Sequence, residues 1–203
     1  IEGNLQRQVK KEKISQSDMD SALGKIKSIT DYDDLSVCDV IIEAATENQS
    51  VKEKIFTSMD KVCKAEAILA TNTSSISITT IAEVTTRPEK VIGMHFMNPV
   101  PIMKLVEIVR GKKTDDDSTK KIMELSKMMG KVPVDCNDSP GFVTNRILMP
   151  MINEAVYCLM EGVGTKESID KIMELGMAHP MGPLALADLI GLDVCKDILQ
   201  VLH

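Results

Sequence analysis

Apolar residues recur with two different periods along the chain, and the change between them marks a change of architecture. Residues 1–13 carry Ile1, Leu5 and Val9 on one helical face and end in the basic Lys10, Lys11 and Lys13. Residues 17–23 form a short predicted helix, capped by Ser17 and stopped by Gly24. Residues 25–29 follow as a short predicted strand. The run DVIIEAA at 39–45 is continuously apolar and β-branched, as a strand buried on both faces would be. Residues 50–62 return to helical spacing through Val51, Ile55, Phe56, Met59 and Val62. Strands are then expected at 67–71, 91–94, 105–109 and 132–134, with helices at 78–84 and 116–129 between them. Beyond Asn137 the pattern holds only helices, at 141–160, 166–175 and from 183 to the end. Ser139 is placed to cap the first of these with Pro140 at its first position, and Pro150 falls inside it.

Strands alternating with helices imply an α/β fold with a mostly parallel sheet. The all-helical remainder implies a second unit, so the expected division is residues 1–137 and residues 138–203. Composition narrows the function. Of the 203 residues, 43% are hydrophobic, enough for a core rather than a disordered chain. The net charge is −6, with no Trp, 3 Phe and 2 Tyr, which argues against nucleic acid as a partner. No apolar run approaches the roughly eighteen residues needed to span a membrane. The 5 cysteines, Cys38, Cys63, Cys136, Cys158 and Cys195, are scattered without metal-ligand spacing. No metal site is expected, and the thiols read as reduced residues of a reducing compartment, the cytoplasm. The 14 methionines read as core filling.

In an open α/β sheet, ligands sit outside the carboxyl ends of the strands. Three consecutive predicted strand ends deliver polar groups there: Glu47 and Asn48; Asn72, Thr73, Ser74 and Ser75; His95 and Asn98. A lone His beside a strand is as readily a hydrogen-bonded structural residue as a general acid/base. In the second role it needs an acceptor on its other ring nitrogen. Glu107 offers one, because a carboxylate inside the apolar run LVEIV is costly unless paired; it is otherwise a solvent-facing edge residue. Ser74 reads as a donor to a substrate oxygen or as a turn residue. Asn145 reads as a stabiliser of developing charge or as a plain helix residue.

Five segments carry a resemblance across nearly the whole chain. ATNTSSISIT (70–79), GMHFMNPVPIMKLVEIVRG (93–111), DSPGFVTNRILMPMINEA (138–155), IIEAATEN (41–48) and HPMGPLALADLIGLD (179–193) resemble the 3-hydroxyacyl-CoA dehydrogenases, nearest to the bacterial enzymes acting on 3-hydroxybutyryl-CoA. The resemblance implies a Rossmann-like domain followed by an all-α domain. It implies an NAD- or NADP-dependent interconversion of acetoacetyl-CoA and 3-hydroxybutyryl-CoA. His95 would be the acid/base and Glu107 its dyad partner, with Ser74 and Asn145 at the reacting oxygen and thioester. Glu47, Lys52, Ser74 and Asn98 would contact the nicotinamide side of the cofactor. Asn4 and Lys11 would lie near the CoA nucleotide, and the helical part would form a homodimer. One departure matters. The family opens with a G-x-G-x-x-G turn that this chain lacks, so it is expected to be an interior segment without the first βαβ unit and the C-terminal end. Its alternative role is then a catalytically incomplete module that binds acyl-CoA or a partner subunit without holding NAD.

Overall fold

The computed structural model describes residues 1–202, so the last residue of the final predicted helix lies outside it. Five strands form one sheet in the order β1 (Val40–Glu43), β2 (Ile68–Thr71), β3 (Val91–Phe96), β4 (Leu105–Arg110) and β5 (Val132–Asn137). All neighbours are parallel except β3 and β4, which run antiparallel. Helices α1 (Glu2–Lys10) and α2 (Gln16–Gly24) precede the sheet. Helices α3 (Gln49–Val62), α4 (Ile78–Glu83) and α5 (Asp116–Met128) connect its strands. Four helices follow it: α6 (Thr144–Met160), α7 (Lys166–Gly176), α8 (Pro183–Ile190) and α9 (Leu192–Leu202). This is a Rossmann-like, mostly parallel sheet with helices, followed by a helical unit.

The period-2 alternation of the strands sorts their side chains into two cores. Ile41, Leu69, Val91 and Val109 face α3 and α4, where they meet Phe56, Met59, Ile78 and Ile81. Ile68, Ala70, Ile92, Met94, Val106 and Ile108 face the other way, onto Ile122 of α5. Gly93 sits where α4 presses on the sheet: a Cβ there would lie 2.8 Å from Val109 Cβ and 3.0 Å from Ile78 Cδ1. The helical unit has its own core of Met149, Ile152, Ala187 and Cys195. Asp170 of α7 caps α8 from outside, accepting from the amides of Leu184 at 2.8 Å and Ala185 at 3.0 Å.

Several elements differ from their sequence expectation. Residues 25–29, KIKSI, form no strand; a short alternating segment becomes a strand only where a neighbour completes its ladder. The cap of α2 is Ser15, not Ser17, because Ser15 and Asp18 close a reciprocal capping box. β1 is not buried on both faces as expected, since Ile42 is 38% exposed, whereas β2 is buried throughout. His95 lies inside β3 rather than beyond it. The predicted helix from residue 183 is two helices, broken at Gly191, whose φ of +102° no helix accommodates. Ser139 does not cap α6. Gly141 and Phe142 have φ of +73° and +51°, which delays the helix to Thr144. Ser139 instead accepts a hydrogen bond from Arg146 at 2.7 Å.

Candidate active site

Antiparallel register places His95 of β3 directly opposite Glu107 of β4. Both are buried, at 7% and 4% exposure, on the face of the sheet that also carries Val91 and Val109. His95 Nδ1 and Glu107 Oε2 are 2.8 Å apart. Phe142 stands edge-on to the imidazole with ring centroids 5.8 Å apart. The other oxygen, Oε1, accepts from the amides of Val143 at 3.1 Å and Thr144 at 3.0 Å. One carboxylate therefore orients the histidine and caps the N-terminus of α6, the role expected of Ser139. Burial pushes the Glu107 carboxyl up, but the bonds from His95 and Thr144 prevail and hold it below the usual carboxylate range.

Capping by Glu107 sets the first turn of α6, and that turn delivers Asn145. Its Nδ2 donates to the main-chain carbonyl of Ser74 at 3.0 Å. Ser74 belongs to the loop after β2, which Glu47 organises. Glu47 Oε1 accepts from Thr73 Oγ1 at 2.6 Å, Ser74 N at 2.8 Å, Ser75 N at 3.0 Å and Ser75 Oγ at 3.1 Å. Among the described residues, the Ser74 hydroxyl is left without a protein partner. Lys52 of α3 is 1% exposed, 2.6 Å from Glu43 Oε2 and 3.8 Å from Glu47 Oε2.

Glu47, Lys52, Ser74 and Ser75 border a cavity of about 530 Å³ at the carboxyl ends of β1 and β2, whereas His95, Glu107 and Asn145 do not line it. One wall is Ala44, Ala45, Glu47, Lys52 and Ser74; the opposite wall includes Val194 and Ile198 of α9. The volume lies within the range of small-molecule sites. A second pocket, of about 400 Å³, lies between α1 and the turn after β3. It holds Asn4 and Lys11 together with Arg7, Lys13, Pro99 and Ile102. Asn98 is exposed at the start of that turn and does not line the first cavity.

Residues 1–139 match the model of the 3-hydroxyacyl-CoA dehydrogenase NAD binding domain, and residues 141–203 match that of its C-terminal domain. The chain belongs to the 3-hydroxyacyl-CoA dehydrogenase family. Within the family, it is 50% identical over 203 residues to a probable 3-hydroxybutyryl-CoA dehydrogenase of Bacillus subtilis, covering 100% of this chain and 71% of that one. It is 53% identical to a 3-hydroxybutyryl-CoA dehydrogenase of Clostridioides difficile, covering 100% of this chain and 72% of that one. The crystal structure of an (S)-3-hydroxybutyryl-CoA dehydrogenase from Ralstonia eutropha superposes with a TM-score of 0.96 at 52% identity, over 98% of this chain and 71% of that one.

Two contributors escaped the sequence reading. Phe142 gave no signal, because its place beside His95 follows from a left-handed backbone turn. Glu43 did give one: it lies in the apolar run VIIEAA as Glu107 lies in LVEIV, and the same argument demands a partner for it.

Proposed function

We propose that this chain is an (S)-3-hydroxyacyl-CoA dehydrogenase acting on acetoacetyl-CoA and 3-hydroxybutyryl-CoA, with His95 and Glu107 as its acid/base dyad. The observation that carries the reading is the 2.8 Å contact between His95 Nδ1 and Glu107 Oε2, both buried. An ionised carboxylate accepts only, so Glu107 assigns the proton to Nδ1 and leaves Nε2 for the substrate. In the oxidative direction Nε2 takes the proton of the 3-hydroxyl, and Glu107 stabilises the imidazolium that forms. In reduction the imidazolium returns that proton to the forming alkoxide. The Ser74 hydroxyl donates to the reacting oxygen, while Asn145, held by the Ser74 carbonyl, lies toward the thioester. When bound, NAD supplies or accepts the hydride.

Glu47, Lys52 and Ser74 border the cavity that suits the nicotinamide half, and Asn98 is assigned to the cofactor from the adjacent turn. Asn4 and Lys11 are assigned to the CoA nucleotide. Their pocket also holds Arg7 and Lys13, a cationic group suited to phosphates in an otherwise acidic chain. NAD is preferred to NADP because the matching domain model describes NAD binding. We divide the chain into a cofactor domain, 1–137, and a helical domain, 138–203, through which it forms a homodimer. A cytoplasmic location suits its 5 free cysteines, and no helix among the described residues is long and apolar enough to cross a membrane.

The test is oxidation of NADH, and separately of NADPH, by the folded chain on addition of acetoacetyl-CoA. Turnover that His95→Gln abolishes supports the assignment. A folded chain that binds acetoacetyl-CoA but neither cofactor favours the non-catalytic module.

A further inference from the structure

The cofactor edge contains a buried ion network that the acid/base chemistry does not use. Glu43, the last residue of β1, is 5% exposed and accepts four hydrogen bonds. Its Oε2 takes Lys52 Nζ at 2.6 Å and Thr71 Oγ1 at 2.8 Å. Its Oε1 takes the Ala45 amide at 2.6 Å, and its main-chain carbonyl takes the Asn72 amide at 2.8 Å. Lys52 has two carboxylates within 4 Å, Glu43 and, at 3.8 Å, Glu47. Glu47 in turn holds the amides of Ser74 and Ser75. The path from Glu43 to the Ser74 loop thus runs through one ammonium, and a parallel path runs through Thr71, whose Oγ1 accepts the Thr73 amide at 3.2 Å.

We propose that Glu43 is a positioning residue for the cofactor edge, which anchors the Lys52 ammonium and thereby keeps the Glu47 carboxylate on the Ser74 and Ser75 amides. The physical reason is competition. A buried ammonium must sit against a carboxylate. While Glu43 holds it, Glu47 Oε1 is free to accept four donors from the loop. Without the Glu43 charge, Lys52 moves the remaining distance to Glu47, and the carboxylate leaves the loop amides. Ser74 is the residue through which this reaches the substrate side, since its carbonyl also holds Asn145. The consequence for turnover rests on the dehydrogenase reading; the coupling between Glu43 and the loop does not.

Glu43→Gln keeps the shape and an acceptor oxygen but removes the charge. Site-resolved amide hydrogen exchange on the ligand-free chain is the first measurement. Exchange at Ser74 and Ser75 is expected to speed up about 10-fold or more, with Ile92 and Ile108 in the central strands unchanged. Where the wild-type chain turns over, KM for NADH should rise about 10-fold. Glu43→Asp, which restores the charge, should recover part of the protection. Because the main path from Glu43 runs through Lys52, adding Glu43→Gln to Lys52→Met should cost less protection and affinity than Glu43→Gln costs in the wild-type chain. Should Glu43→Gln not fold, the double variant Glu43→Leu with Lys52→Met removes the ion pair; with no ammonium to draw Glu47 away, the Ser74 and Ser75 amides should keep wild-type exchange, and faster exchange there overturns the proposal. Unchanged exchange at Ser74 and Ser75 in a folded Glu43→Gln variant, or fully additive effects, overturns the proposal. A wild-type chain that does not turn over overturns the dehydrogenase reading, and the exchange experiment still decides the coupling.

Discussion

The Asn145 side chain and the Ser74 carbonyl, 71 residues apart in sequence, meet at 3.0 Å. This contact joins the first turn of α6 to the loop after β2, and so joins the helical unit to the cofactor edge. The amide donates, so its value depends on which atom faces Ser74. Asn145→Asp puts an acceptor against an acceptor in a 7% exposed position. The variant should lose about 10- to 100-fold in kcat/KM for acetoacetyl-CoA. Steady-state kinetics on variant protein with an unchanged circular dichroism spectrum checks it.

His95 and Glu107 act as one unit in the proposed chemistry. His95→Gln should lower kcat by about 10²- to 10⁴-fold, the usual worth of a positioned acid/base. Glu107→Gln should fall in the same range, and the double variant should be little worse than His95→Gln, since groups acting as a unit are not additive. Near-normal turnover by either single variant would remove the dyad from the mechanism.

Stability should depend on pH through the buried carboxylates. Glu43 and Glu107 are both held below their ordinary value of 4.5, because hydrogen bonds from Lys52 and His95 among others outweigh burial. The unfolded chain then binds more protons than the folded one in acid, so their contribution is full above about pH 4.5 and is lost as pH falls through the folded values. Melting temperatures should be level from neutral pH to about 5.5 and drop below about 4.5. Glu107→Gln should melt lower at neutral pH and show a shallower acid decline. An acid decline as steep as the wild type's would show that Glu107 does not contribute.

Cys136 should be an inert thiol. Burial, reinforced by the negative charge of Glu107, pushes it up to about 11. At pH 8 it should react with iodoacetamide about 200-fold more slowly than free cysteine, the ratio of their thiolate fractions. Glu107→Gln should speed the reaction. Peptide mapping after timed alkylation measures both, and rapid labelling of Cys136 in the folded protein would contradict the burial argument.

At Gly93, Ile78 of α4 and Val109 of β4 both press on β3. Gly93→Ala puts a methyl group 2.8 Å from Val109 Cβ, which belongs to the sheet and cannot rotate away. Overpacking of this kind costs about 1–3 kcal/mol. Urea unfolding should show a lower midpoint with an unchanged slope. An unchanged midpoint would mean that the β3–β4 pair accommodates the methyl group without loss.

The order of elements was legible in the sequence because it rests on local patterns. Continuous apolar runs announced β1 and β2, and helical spacing announced α3 and α5. A carboxylate within LVEIV announced that Glu107 must have a partner, and the same reasoning applied to VIIEAA would have found Glu43. What failed were features decided by a neighbour. Residues 25–29 have strand composition but no strand beside them. Ser139 has the chemistry of a cap, but Glu107 from β4 takes that position.

Only the tertiary structure decided which groups meet. Antiparallel pairing of β3 with β4 sets His95 across from Glu107; a one-residue slip would turn one of them to the opposite face. Left-handed turns at Gly141 and Phe142 bring the amides of Val143 and Thr144 onto Glu107 and Asn145 onto Ser74. Local sequence sets propensity and period, which act over a few residues. The site depends on contacts across tens of residues, set by strand register and by competition among buried polar groups for a limited number of partners.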